Sequence, residues 1–241
     1  SHALFDGRYA NNGWLQELPK PLTKLTWDNA ALIAPATAER LGLSARDQVR
    51  ISCRGRSLSA PLWVVPGHAP DCLTLHFGHG RTRAGAVGSG VGFNAYSLRT
   101  SDAPWFVSGA EVVKTGDDAA LACTQEHFRM EGRLLVRDAT IGEYQKNPRF
   151  AKEMGEDPPR ELTLYKEWDY PGHKWGMVVN LGRCIGCNAC VAACEAENNS
   201  PIVGKAQVAA GREMHWLRID QYYKGDPDNP SPGDTGRIFI D

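Results

Sequence analysis

The residues best suited to chemistry are four cysteines that stand close together in the last third of the chain. Cys184, Cys187, Cys190 and Cys194 follow the spacing C-x2-C-x2-C-x3-C in the stretch CIGCNACVAAC. Thiolates at steps of three wrap one corner of an iron–sulfur cube, and the small residues between them let backbone N–H groups turn toward the sulfurs. The run therefore predicts ligands to a [4Fe–4S] cluster.

The fourth cysteine bears on whether this chain completes a cluster alone. The stretch VAACEAE favours a helix, and a step of four residues places Cys194 one turn beyond Cys190 on the same helical face. In bacterial two-cluster ferredoxins the fourth cysteine ligates the other cluster, and the proline that usually follows it is Glu195 here. The first three cysteines then supply three of the four thiolates, so we expect the missing ligands in a longer chain.

Zinc and a disulfide are the alternatives for this run. Structural zinc sites generally use two separated cysteine pairs, and no second pair follows Glu195. Disulfides within C-x2-C are usually redox-active rather than structural. The other cysteines, Cys53, Cys72 and Cys123, are scattered in apolar or mixed contexts, and we interpret them as buried thiols that act as small hydrophobic residues.

The composition excludes several classes of function. Hydrophobic residues make up 42% and charged residues 23% of the chain, and the formal net charge is −1, which gives no reason to expect a nucleic-acid partner. No apolar run reaches the roughly 18 residues of a transmembrane helix, and no signal-peptide core opens the chain, so we expect the chain itself to be soluble. The sequence contains no nucleophile with a base at recognisable spacing, so it predicts no bond-making catalytic centre.

The elements that must position these residues form four segments. Residues 1–24 read as an irregular, extended segment, 25–137 as a β-barrel, 138–175 as a polar linker and 176–241 as a partial ferredoxin-like domain. Short strands are predicted by ALIAP, DQVRISC, SLSAPLWVV, CLTLHFG and AEVVKTG, with a helix at ATAERLGL that Gly42 ends. The sequence also predicts a helical turn near Asn147 to Met154 and further strands at MVVNLG, REMHWLRIDQYY and RIFI. The fold class is mainly β with α+β.

A glycine-rich loop, GHGRTRAGAVGSGVGFN, follows the predicted barrel strands. Its glycines would let the backbone approach a phosphate-bearing ligand, with Arg81 and Arg83 near the charge. The loop lacks a dinucleotide fingerprint and a P-loop, so a mobile surface loop is the simpler interpretation. His79 and Asn94 likewise read as turn and loop residues when taken alone.

Two long stretches carry a family resemblance. WGMVVNLGRCIGCNACVAACEAENNSPIVGK, followed by GREMHWLRIDQYY, resembles the first cluster-binding segment of the iron–sulfur subunit of alternative complex III, a bacterial quinol:electron-acceptor oxidoreductase. That subunit belongs to the polysulfide- and DMSO-reductase-type ferredoxins. NNGWLQELPKPLTKLTWDNAALIAP and the strands after it resemble the molybdopterin-dinucleotide-binding domain that precedes the ferredoxin part. The resemblance covers nearly the whole chain.

The resemblance implies a double-psi-type barrel in which HFGHGR and GVGFNAYSL, with His79 and Asn94, are relics of pterin-holding loops, without molybdenum. It implies a full subunit with three [4Fe–4S] clusters and one [3Fe–4S] cluster, and it carries over Cys184, Cys187, Cys190 and Cys194 as ligands. Electrons would come from a quinol-oxidising membrane subunit and leave to a cytochrome c subunit. The implied location is the periplasmic side of the bacterial inner membrane.

Two rival functions remain open from the sequence. One is an electron-transfer subunit of a true molybdopterin oxidoreductase, in which the barrel holds a pterin cofactor. The other is a non-redox scaffold module whose cysteines hold zinc or no metal.

Overall fold

A computed structural model of the chain describes residues 1–155, 158–223 and 237–240. The chain forms two compact units, one composed of Ser1–Phe128 with Gly186–Asp241 and the other of Arg129–Ile185. The longest described helix has nine residues, and none of the described helices has the length and apolar character needed to cross a bilayer.

Strands dominate the larger unit. The described strands are β1 (Leu25–Thr26), β2 (Ala31–Ile33), β3 (Gln48–Cys53), β4 (Arg56–Val64), β5 (Leu73–Leu75), β6 (Glu111–Gly116), β7 (Ala122–Cys123), β8 (Ile219–Tyr222) and β9 (Arg237–Ile240). Five of them form one sheet in the order β5-β2-β4-β3-β6, in which β2 and β4 are parallel and the other neighbours antiparallel. β1 pairs with β7 and β8 with β9, both antiparallel.

The sheet is organised around the β3–β4 hairpin. Its two turn residues, Arg54 and Gly55, both have positive φ (50° and 73°), which is the backbone of a type I′ turn matched to the twist of the strands. Val49 and Ile51 of β3 are buried and pack with residues of β2 and β4 in the main hydrophobic core. The strands predicted from ALIAP, DQVRISC, SLSAPLWVV, CLTLHFG and AEVVKTG are confirmed as β2 to β6.

The predicted closed barrel is not confirmed. Among the described residues the outer strands β5 and β6 each pair with one neighbour, and they do not pair with each other. β5 has three residues, and among the described strands none pairs with the outer edge of β6. The observed fold is a mixed arrangement of sheets with few and short helices, which is compatible with the mainly β prediction.

The helices are short. They are α1 (Gly13–Glu17), α2 (Pro35–Arg40), α3 (Gly85–Gly88), α4 (Ile141–Lys146), α5 (Phe150–Glu153), α6 (Ala189–Glu197) and α7 (Lys205–Val208). α2 is followed, as predicted, by Gly42 at the C′ position, whose φ of 64° suits a residue without a Cβ. The N–H of Leu43 donates to the carbonyl of Ala38 at 2.8 Å, which closes the Schellman motif.

The first 24 residues are more ordered than predicted. α1 lies within them, with the side chain of Asn12 accepting a hydrogen bond from the N–H of Leu15 at 3.2 Å. Leu4, Ala10 and Leu18 are buried. A five-residue helix is too short to show a hydrophobic period, which is why the sequence pattern did not reveal it.

The smaller unit contains α4, α5 and one 3-10 turn at Arg160–Leu162. A capping box begins α4, since Thr140 and Glu143 exchange side-chain and backbone hydrogen bonds. The helical turn predicted near Asn147 to Met154 is confirmed as α5.

Two strand predictions near the cysteines are wrong in whole or in part. MVVNLG, residues 177–182, forms no strand, and Val178 is 96% exposed, because no described strand offers it a ladder partner. In REMHWLRIDQYY only the end forms a strand, β8, while the predicted RIFI strand is confirmed as β9.

Candidate functional site

The cysteine loop of the larger unit is shaped by two left-handed residues. Gly186 (φ 65°) and Asn188 (φ 62°) adopt left-handed backbone conformations immediately before α6 begins at Ala189. Asparagine tolerates this backbone conformation better than most residues. The buried side-chain amide of Asn188 also donates a hydrogen bond to the carbonyl of Pro19. The side chain of Asn188 therefore fastens the loop to the N-terminal segment.

The cysteines of the run are free thiols. Cys187 and Cys190 are exposed, Cys194 is half-buried on α6, and Cys184 is half-buried in the smaller unit. Within residues 1–155 and 158–223, no three His, Cys, Asp or Glu side chains are gathered closely enough to hold a metal ion. The donor set nevertheless fits an iron–sulfur cluster, because all four groups are soft sulfur ligands and none is committed to a disulfide.

α6 holds Cys190 and Cys194 on a supported helix. Val191 is buried and packs with Leu18 and with Ile219 of β8 in a small apolar cluster. At the end of the helix, the side-chain amide of Asn198 donates to the carbonyl oxygen of Cys194 at 2.9 Å and to its sulfur at 3.4 Å. One sulfur of the run therefore already receives a hydrogen bond.

Glu195, which stands where ferredoxins usually have proline, is buried. Its carboxylate contacts Nδ1 of His215, whose side chain is also buried, in the segment that leads into β8. Within the described residues, the other carboxylate oxygen of Glu195 and Nε2 of His215 have no hydrogen-bond partner. This pair ties the cysteine helix to the rest of the larger unit, and the cysteine spacing carries no signal for it.

The scattered cysteines divide between burial and exposure. Cys53 and Cys123 are buried, as predicted, and burial raises the pKa of Cys123 to about 11. The prediction is wrong for Cys72, which is exposed in the turn before β5.

A second candidate site is a cleft of about 690 Å³ formed by the glycine-rich loop and the segment after it. The residues lining it are Asp6, His79, Gly80, Arg81, Thr82, Arg83, Asn94, Tyr96 and Arg99. The structure thus brings His79 and Asn94 into one cleft with both predicted arginines, and it adds Arg99, which was not predicted from the sequence. Three guanidinium groups in the lining favour an anionic ligand.

His79 is the buried member of this lining. It is 4% exposed, and its Nδ1 has no hydrogen-bond partner among the described residues. Burial lowers the pKa of His79 to about 2, with a further contribution from the nearby charges of Lys20 and the N-terminal amine. The imidazole is therefore neutral at physiological pH and able to accept or donate a hydrogen bond.

The loop around the cleft is held by the buried side chain of Asn29. Its amide donates to the carbonyls of His76 and Phe93, both at 3.0 Å, and its oxygen accepts from the N–H of Phe93 at 2.9 Å. The N–H of Gly80 also donates to the carbonyl of Val91 at 2.7 Å. These bonds cross the loop, so it is built into the fold, unlike the simple mobile loop considered from the sequence.

Comparison with known proteins relates parts of the chain to two reductase subunits. No family model matches the chain. A 66-residue stretch is 41% identical to the menaquinone reductase iron–sulfur cluster-binding subunit of Nitratidesulfovibrio vulgaris, covering 27% of this chain and 24% of that subunit. A 75-residue stretch is 35% identical to the thiosulfate reductase molybdopterin-containing subunit PhsA of Salmonella typhimurium, covering 31% of this chain and 10% of that subunit.

The chain therefore spans a quarter or less of the length of these two relatives. Both are subunits of reductases, and their names state one iron–sulfur and one molybdopterin function. Parts of the chain are accordingly similar to an iron–sulfur and to a molybdopterin-containing reductase subunit.

Proposed function

We propose that this chain is part of an electron-transfer subunit of an oxidoreductase, in which an iron–sulfur cluster relays single electrons. The observation that carries the proposal is the run of four free thiols, Cys184, Cys187, Cys190 and Cys194, at ferredoxin spacing. The similarity to an iron–sulfur cluster-binding reductase subunit supports it.

The roles of this chain's residues follow from the geometry of the larger unit. By their spacing, Cys184, Cys187 and Cys190 would ligate one cluster, and Cys194, one helical turn further along α6, would ligate iron of a second cluster. Asn188 fixes the loop to Pro19, while Val191 packs α6 against the apolar cluster. When bound, the cluster supplies a site that accepts and releases one electron; the chain supplies thiolate ligation and hydrogen bonding to sulfur.

The test is metal and sulfide content after anaerobic reconstitution of the 241-residue chain in the presence of a small thiol, which can supply the fourth ligand that Cys184, Cys187 and Cys190 lack. We expect iron and acid-labile sulfide in equal amounts, with loss of at least half of both in Cys190→Ser. Cys72→Ser is the matched control, because Cys72 is an exposed thiol outside the run. Stoichiometric zinc without sulfide would reject the proposal and favour the non-redox scaffold.

A finer assignment is also proposed. By its resemblance, the subunit is the iron–sulfur subunit of alternative complex III, with [4Fe–4S] and [3Fe–4S] clusters, a quinol-oxidising membrane subunit and cytochrome c subunits as partners. It would lie on the periplasmic side of the bacterial inner membrane and carry a double-psi barrel. Copurification of the tagged parent protein with a cytochrome c subunit tests this; a molybdenum subunit in its place would reject it.

The arginine-lined cleft favours a second candidate, an oxidoreductase subunit whose barrel binds a phosphate-bearing cofactor. Arg81, Arg83 and Arg99 supply positive charge. The neutral His79 supplies a hydrogen-bonding group, since its Nδ1 has no partner among the described residues. The name of one relative contains molybdopterin. Calorimetric titration with GDP tests it: binding that is lost in Arg83→Ala supports this candidate, and no binding by the unaltered chain favours an empty relic cleft.

A further inference from the structure

The side chain of Asn198 reaches one of the cluster ligands. Its Nδ2 lies 3.4 Å from Sγ of Cys194, within range of an N–H···S hydrogen bond, and 2.9 Å from the carbonyl oxygen of the same residue. Asn198 is the residue that ends α6, and it lies outside the cysteine spacing by which the cluster is recognised.

Backbone hydrogen bonds fix the position of Asn198 at the end of α6. The N–H of Asn198 donates to the carbonyl of Cys194 at 3.0 Å, so the residue completes the last turn of α6. Asn199 then adopts a left-handed φ of 49°, and the N–H of Ser200 donates back to the carbonyl of Glu195 at 2.9 Å. These bonds close the end of the helix and limit the positions that the Asn198 side chain can take.

A hydrogen bond to a ligand sulfur changes how easily a cluster is reduced. Reduction adds negative charge that is shared with the thiolate sulfurs, and a donor aimed at a sulfur stabilises that charge more in the reduced than in the oxidised state. The donor therefore raises the reduction potential. Groups around the direct ligands are known to tune metal centres in this way.

We propose that Asn198 is a positioning residue that raises the reduction potential of the cluster ligated by Cys194. The inference rests on the proposed function, since it requires a cluster at Cys194. It goes beyond that function by assigning a defined electronic effect to a residue that is not a ligand.

The experiment is a redox titration of the parent protein with its clusters bound, followed by electron paramagnetic resonance. Asn198→Ala removes the donor without adding charge, and we expect the one-electron equilibrium constant for reduction to fall roughly tenfold, about 59 mV to more negative potential. Asn198→Asp removes the donor and adds a negative charge, so its shift is larger. Asn199→Asp is the matched control, because it adds the same charge at the neighbouring exposed position and keeps Asn198.

Three results would overturn the proposed role of Asn198. A potential for Asn198→Ala equal to that of the unaltered parent protein, or equal shifts for Asn198→Asp and Asn199→Asp, would overturn the proposal and leave the electron-transfer function standing. Loss of iron from both Asn198 variants would show a purely structural role and would overturn it too. If the unaltered parent protein binds neither iron nor sulfide, the proposed function fails together with this inference.

Discussion

The substitution Lys24→Met should stabilise the chain, because Lys24 is a buried amine without a partner among the described residues. Its side chain is 0% exposed, and its Nζ has no hydrogen-bond partner in the part of the chain that the structure describes. Burial lowers the pKa of Lys24 from 10.5 to about 8, and the opposing attractions of Asp220 and Cys123 do not compensate. Methionine has a similar length and shape and carries no charge.

The size of the effect follows from that pKa. Both the folded and the unfolded chain carry the charge at pH 7, and the drop in pKa corresponds to about 3 kcal/mol of lost stability. Between about pH 8 and pH 10.5 the Lys24 amine is protonated in the unfolded chain but not in the folded chain, so the free energy of unfolding rises with pH. From pH 7 to 9 the contribution of Lys24 to the free energy of unfolding should increase by roughly 1.3 kcal/mol.

Urea unfolding at pH 7 and pH 9 measures both quantities. At pH 7 we expect the free energy of unfolding of Lys24→Met to exceed that of the unaltered chain by about 3 kcal/mol. At pH 9 this excess should be smaller by roughly 1.3 kcal/mol. Comparing the two chains at each pH cancels the titration of Cys123, whose thiol opposes the trend above pH 9. Lys152→Met, at an exposed position of α5, is the control and should change neither value. If Lys24→Met is less stable than the unaltered chain at pH 7, the reasoning that Lys24 is a buried charged amine is refuted. A difference in the free energy of unfolding that does not depend on pH would refute it too.

Two further substitutions test the scaffold of the cleft. Asn29→Ala removes hydrogen bonds to both backbone groups of Phe93 and should lower the free energy of unfolding by about 3 kcal/mol; a loss below about 1 kcal/mol in urea unfolding would show that the loop does not depend on it. Gly80→Ala should cost about 3 kcal/mol, because Gly80 has a φ of 72° and a new Cβ would collide with the backbone of Asn94. Gly55→Ala is its control: with a φ of 73° and no atom within 4 Å of the new Cβ, it should cost about 1 kcal/mol, and equal costs would argue against the close approach.

Much of the local structure could be predicted from residue spacing alone. The apolar residues of strands β2 to β6 alternate or cluster, and Gly42 marks the end of α2. These signals can be predicted because they act over a few neighbouring residues. The cysteine run is predictable for the same reason, since the ligand spacing is local. Where the strand signal lacked a partner, as in residues 177–182, the prediction failed, because a strand requires a ladder that its own sequence does not contain.

The sequence by itself determined the chemistry available to this protein: four cysteines at ferredoxin spacing, and a glycine-rich loop carrying arginines. Tertiary structure decided how those groups are held. Asn188 meets Pro19 and Asn29 meets Phe93 across many intervening residues, and Arg99 joins His79 in one cleft. Such contacts depend on which buried polar group finds which partner once the chain has folded, and no short-range pattern encodes that choice.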